Sequence, residues 1–133
     1  MTSFGKKRRR AGAAVEMAIV TPLLMTMLLG IIEFGYIFTV RQTLVTAARE
    51  GARLAALPGS STQAVQDLVE NYLSDTMGLT AKEILIERST PEDPTESVTV
   101  KVAYADVSLV GGYFGAKTYD LVGSCSMRKE GID

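Results

Sequence analysis

The chain has 133 residues, 47% hydrophobic and 22% charged, with a formal net charge of −1, which is enough for one small domain and not two. It has no His, no Trp and a single Cys, so a His/Cys zinc centre, a His-based catalytic triad and a disulfide framework are excluded. The near-neutral total conceals a basic run, Lys6 to Arg10, and an acidic remainder in which 12 acidic and 6 basic residues follow Pro58, a local net charge of −6; a nucleic-acid binder would carry its cations on the folded part, so that partner is excluded too.

After the basic run, Met17 to Ile32 is free of charge, and the apolar stretch extends to Val40 if Glu33 can be accommodated. The 24 residues from Met17 to Val40 exceed the roughly 20 that cross a bilayer as a helix. A cleaved secretory signal is the competing reading. Its apolar region runs only about 7–15 residues and ends at a small-residue cleavage site, whereas here Phe34, Tyr36 and Phe38 follow. The pattern favours a retained transmembrane helix over 17–40. The cations ahead of it predict a cytoplasmic N-terminus, with everything beyond about residue 41 outside.

The helical pattern continues past the span. Arg41 to Leu57 has no Pro, one Gly and five Ala, which favours helix. Pro58-Gly59 supplies the stop, so one long helix is predicted over 13–57. At 100° per residue Leu44, Ala48, Gly51, Ala52 and Ala55 share a face, with Gln42, Thr46, Arg49 and Arg53 opposite. Pro22 is expected to bend the helix or insert a short irregular turn.

Two carboxylates stand out. Glu16 opens the apolar run, where it reads either as an interfacial anion at a helix N-terminus or as a group used in helix assembly. Glu33 lies well inside the run and would be costly without a partner. It is either wetted at the outer interface or hydrogen-bonded to a second helix, for which the small residues projecting on its side, Gly51 among them, would permit close approach.

Residues 58–133 are predicted to form a small extracytoplasmic domain. Ser60 or Ser61 caps a helix whose apolar positions are Val65, Leu68, Val69, Tyr72, Leu73 and Met77, and Gly78 closes it. Ile84 to Ile86 reads as a strand, and Ser89 to Glu96 as an acidic, solvated turn rather than a metal site. Val98, Val100, Val102 and Tyr104 alternate as a half-buried strand. An apolar loop over Val107 to Gly115 and a last strand over Lys117 to Lys129 follow. The fold class is α+β: a long N-terminal membrane-spanning helix, with a small helix and a three-stranded, mostly antiparallel sheet packed outside on Leu44, Ala48 and Ala52. Cys125 is read as a buried structural thiol. No nucleophile is placed beside a base, so no catalytic residue, cofactor or small-molecule substrate is expected.

The run from Gly12 to Ala56 resembles the TadE-like family, minor pilins or pseudopilins of the bacterial tight-adherence (Flp) pilus system. The residues that carry the resemblance are a basic leader with a Gly-Ala junction, V-E-M-A at Val15 to Ala18, and T-P-L-L at Thr21 to Leu24. I-I-E-F-G at Ile31 to Gly35 and A-A-R-E-G-A-R at Ala47 to Arg53 continue it. Ser124 to Glu130 is similar to the strand that closes such proteins. The resemblance implies that a prepilin peptidase removes the leader, 1–12, on the cytoplasmic side, near Ala11 and Gly12. A cut after Ala11 makes Glu16 the fifth residue, as in the pilin pattern; a cut after Gly12 makes it the fourth. Either Ala11 replaces the usual Gly, or the register is relaxed, or the leader stays. Glu16 can then pair with the new N-terminal amine of a neighbouring subunit; Met17 stands where the family has an aromatic. The implied setting is the bacterial inner membrane, single-pass, with the C-terminal domain periplasmic or displayed on a surface pilus. The implied partners are the peptidase, other pilin or pseudopilin subunits and the pilus assembly platform. The alternative is a bitopic anchor that never polymerises and carries a periplasmic binding module. A Gly/Ser-rich linker would favour it, and none separates helix from domain.

Overall fold

The structure, a computed structural model, describes residues 4–109 and 119–129, with side chains from residue 12 onward. In chain order it contains α1 (Phe4–Ala56), α2 (Thr62–Met77), β1 (Glu83–Glu87), β2 (Thr95–Ala103), α3 (Tyr104–Val107) and β3 (Asp120–Arg128). This is the expected α+β arrangement. The chain divides into two compact units, the first ending at Gly35 and the second beginning at Tyr36.

The first unit is helix alone. It begins at Phe4, ahead of residue 13, so the basic run is itself helical; Lys, Arg and Ala are strong helix formers and nothing in 4–12 terminates a helix. The irregular turn expected at Pro22 is absent: helix runs unbroken through it. Proline removes one N–H from the ladder, and nearby Thr26 Oγ1 donates to the Pro22 carbonyl at 2.8 Å. From Gly12 on, the apolar side chains have no cover. Ile19, Leu23 and Phe34 are exposed, and the helix is long and apolar enough to cross a membrane.

In the second unit α1 turns from uncovered to packed. Val40, Leu44, Ala47, Ala48, Ala52 and Ala55 are buried with Val65, Val69 and Leu73 of α2 and Val98, Val100 and Val102 of β2. The α2 helix has the signals its sequence promised. The Ser61 side chain accepts from the Ala64 N–H at 3.1 Å, and Gly78 closes the helix in the left-handed region at φ 65°. The three strands form a fully antiparallel sheet in the order β1-β2-β3. Period-two alternation aims Val98, Val100 and Val102 into the core. Tyr104 does not extend that row: it opens α3 and stacks on Tyr119, with ring centroids 4.5 Å apart. The last strand is Asp120–Arg128; the expected earlier start at Lys117 and the loop residues 110–115 lie outside the described residues. Cys125 is only half-buried, at the margin of the core and not within it.

One contact sets how closely sheet and helix approach. Gly123 pairs with Val100 across β2 and β3, and a Cβ placed there would collide with the backbone of Leu44 and lie 2.7 Å from its Cβ. At Gly51, by contrast, a Cβ would meet mainly the end of the Val69 side chain, at 2.8 Å. Backbone cannot rotate aside, whereas at Gly51 the obstacle is a side chain, a buried valine that must shift, and alanine improves helix propensity by about 1 kcal/mol over glycine, which offsets part of that cost. Gly123→Ala is therefore expected to destabilise the second unit by about 1–3 kcal/mol, as overpacking does, and Gly51→Ala by clearly less. Urea unfolding of both variants in detergent checks this; equal losses would mean that the Gly123 contact is not the tighter constraint.

Candidate functional site

The residues singled out from the sequence fall into separate regions. Ala11 and Gly12 lie within continuous helix. Nothing approaches the position a Gly12 Cβ would occupy. Glycine costs a helix interior roughly 0.5–1 kcal/mol relative to alanine, so this junction is a weak point in an otherwise strong helix. Glu16 is exposed, and Glu33 is half-buried. Leu44, Ala48, Gly51, Ala52 and Ala55 are all buried in the second unit, where α2 and the sheet of the same chain cover them.

Glu96 is the residue that sequence reasoning misplaced. It is not part of a solvated acidic turn: it belongs to β2 and is completely buried. The signal was present, since Glu96 has the parity of Val98, Val100 and Val102 and so must point to the same face. A carboxylate in that position needs partners. Ser89 Oγ donates to Oε1 at 3.0 Å, Lys129 Nζ lies 3.9 Å from Oε1, and Arg88 Nη1 lies 3.5 Å from Oε2. The Arg88 approach is an ion pair without hydrogen-bond geometry, and Oε2 has no hydrogen-bond donor among the described residues.

Arg88 uses its other donors on the end of α1. Nη1 donates to the Ala55 carbonyl at 3.2 Å and to Ser60 Oγ at 3.2 Å, and Nη2 donates to the Ser60 carbonyl at 2.9 Å. Nε reaches Thr62 Oγ1 at 3.3 Å. One guanidinium therefore satisfies a carbonyl in the last turn of α1, where helical carbonyls lack partners, and ties that turn to the start of α2 and to β1.

The outer face of the sheet is polar. Lys101 bonds Glu83 across β1 and β2 at 2.8 Å, and Lys82 Nζ grips both oxygens of Asp120 at 2.9 and 2.8 Å. That hydrogen bond, with the Asp120 charge behind it, raises the Lys82 pKa above its ordinary value. A raised folded-state value means that the clasp is fully present below the unfolded lysine pKa, about 10.4. It is lost as pH rises through the higher folded value.

With that geometry in place, comparison with known proteins adds one positive finding. A family model described as TadE-like protein matches residues 12–53, about a third of the chain. The matched segment takes in Glu16, Glu33 and most of the buried small-residue face. No curated protein and no solved structure matches the chain.

The buried charge has an asymmetric consequence. Arg88→Met removes a partner of a buried carboxylate and should destabilise the second unit by about 3 kcal/mol, the low end for breaking a buried pair because Arg88 itself is only half-buried. Adding Glu96→Met should recover part of that loss, since no buried charge then remains. Equilibrium unfolding of the single and double variants measures both. A double variant less stable than Arg88→Met alone would contradict the account.

Proposed function

We propose that this chain, TadE-like over residues 12–53, is a minor pilin or pseudopilin that acts in assembly of a tight-adherence pilus or its secretion machinery. Its role is structural and not enzymatic. The observation that carries the reading is the match itself, which covers the whole uncovered apolar segment and continues into the part of α1 that forms the core of the second unit. The TadE-like match supports a part in the pilus system; the specific role is our inference.

In this reading α1 crosses the inner membrane once within residues 17–40, its last residues, from Tyr36, already packed within the second unit; Lys6 to Arg10 hold the N-terminus in the cytoplasm, and the second unit is periplasmic or displayed on a pilus. Prepilin peptidase removes the leader beside Ala11 or Gly12, where the glycine makes local unwinding of α1 least costly. Glu16 then pairs with a new terminal amine on a neighbouring subunit. Glu33 acts in helix assembly, its carboxylate offering a polar contact to a partner helix in the apolar bundle. Because Leu44, Ala48, Gly51, Ala52 and Ala55 are covered by the chain's own fold, subunit contacts are assigned to the first unit, residues 12–35, and not to that face.

Two measurements test this. The mass of membrane-extracted protein should correspond to loss of 11 or 12 residues; a mature chain beginning at Met1 or Thr2 with active peptidase present would support the non-polymerising anchor instead. Glu33→Leu should insert at least as well as wild type while losing crosslinked oligomer and piliation at matched membrane levels. Glu33→Gln should be partly tolerated if its partner is neutral. Normal assembly from Glu33→Leu would show that the carboxylate does not mediate assembly.

A further inference from the structure

Arg41 is the first cation after the apolar run of α1. It is exposed, and it forms no ion pair or hydrogen bond with any described residue. With Tyr119, Asp120, Leu121 and Val122 at the start of β3 it lines an open groove of about 300 Å³, at the small end of ligand clefts, which run roughly 300–1,000 Å³. The one acid in the groove does not neutralise it, because Asp120 is held through both oxygens by Lys82. The walls are partly apolar: Val122 and Tyr119 remain 42% and 49% exposed, and the Tyr119 ring is braced against Tyr104.

We propose that this groove binds the phosphate of an anionic phospholipid from the outer leaflet, with Arg41 holding the phosphate and the exposed Tyr119 and Val122 receiving the glycerol and first acyl carbons. The inference rests on the membrane-spanning reading of residues 17–40. The uncovered part of α1 ends at Gly35, so Arg41 follows it by six residues, about 9 Å of helix, within reach of the headgroup layer, where tyrosine is enriched and arginine serves as an anchor. A guanidinium matches phosphate geometry with paired donors. The acidic residues beyond Pro58 would otherwise be repelled by an anionic lipid surface, and an uncompensated arginine beside an apolar wall supplies a local point of attachment.

The test uses the full chain purified in mild detergent, with phosphatidylglycerol or phosphatidylcholine added and retained lipid counted by native mass spectrometry. One phosphatidylglycerol per chain is expected, retained in preference to phosphatidylcholine, whose own cation competes for its phosphate. Arg41→Ala should weaken retention about tenfold, as loss of a charged hydrogen-bonding partner does. Val122→Glu, which places an anion in the wall, should do the same, while Arg49→Ala leaves retention unchanged. Equal retention by wild type, Arg41→Ala and Val122→Glu overturns the proposal. So does displacement by an equal concentration of inorganic phosphate, which would make the site one for free anion. Loss of oligomer from Arg41→Ala with unchanged lipid retention would assign the groove to a subunit contact and overturn it as well. Alkaline extraction of native membranes separates the two readings. If wild type is extracted, the membrane-spanning reading falls and this proposal with it; if it stays embedded yet retains no lipid, the headgroup site alone falls.

Discussion

At Gly123 the backbone of β3 comes against the backbone of α1 at Leu44 with no side chain between them. That approach fixes the distance between sheet and helix, and the residues around it are sized to match. On α1 the buried positions are mostly alanine and glycine; opposite them, β2 offers valines. A short, β-branched row against a small-residue helix fills the gap without the large aromatics a wider spacing would need. The residues after Pro58 are too few to enclose a substantial core unaided, and α1 supplies the surface they lack.

The end of the same helix is held by charge. Arg88 links the last turn of α1, the Ser60 turn and the first residue of α2, while its guanidinium faces the buried Glu96. Apolar packing at the middle of the contact and a polar clasp at its end restrain different motions. Close packing opposes separation of helix and sheet, and the directional hydrogen bonds oppose sliding of one along the other. Lys82 with Asp120 fastens the opposite end of the sheet, at the start of β3.

Much of this was legible in the sequence because it is governed by local chemistry. The caps of α2 follow from Ser61 and Gly78, the stop of α1 from Pro58-Gly59, and the faces of α1 and β2 from their periods. What escaped depends on non-local partners. Glu96 looked like one more acid in a polar turn because its identity outweighed its parity, and the cations that make its burial possible lie at positions 88 and 129, on different segments. The irregular turn expected at Pro22 ignored how well the surrounding helix-forming residues carry the ladder across one missing donor. The small-residue stripe was legible as a packing face, but a one-dimensional pattern does not say which surface fills it; Val65, Val69 and Val98 do.

The long interval between the contacting partners also has a temporal consequence. Leu44 of α1 and Gly123 of β3 lie against each other although some eighty residues separate them, a non-local pairing whose loop-closure entropy slows folding. During synthesis α1 leaves the ribosome before β3. The Gly51 end of the apolar stripe Leu44 to Ala55 can be covered by Val65 and Val69 of α2 and Val98 of β2 as soon as these are made, whereas the Leu44 end waits for Gly123 of β3.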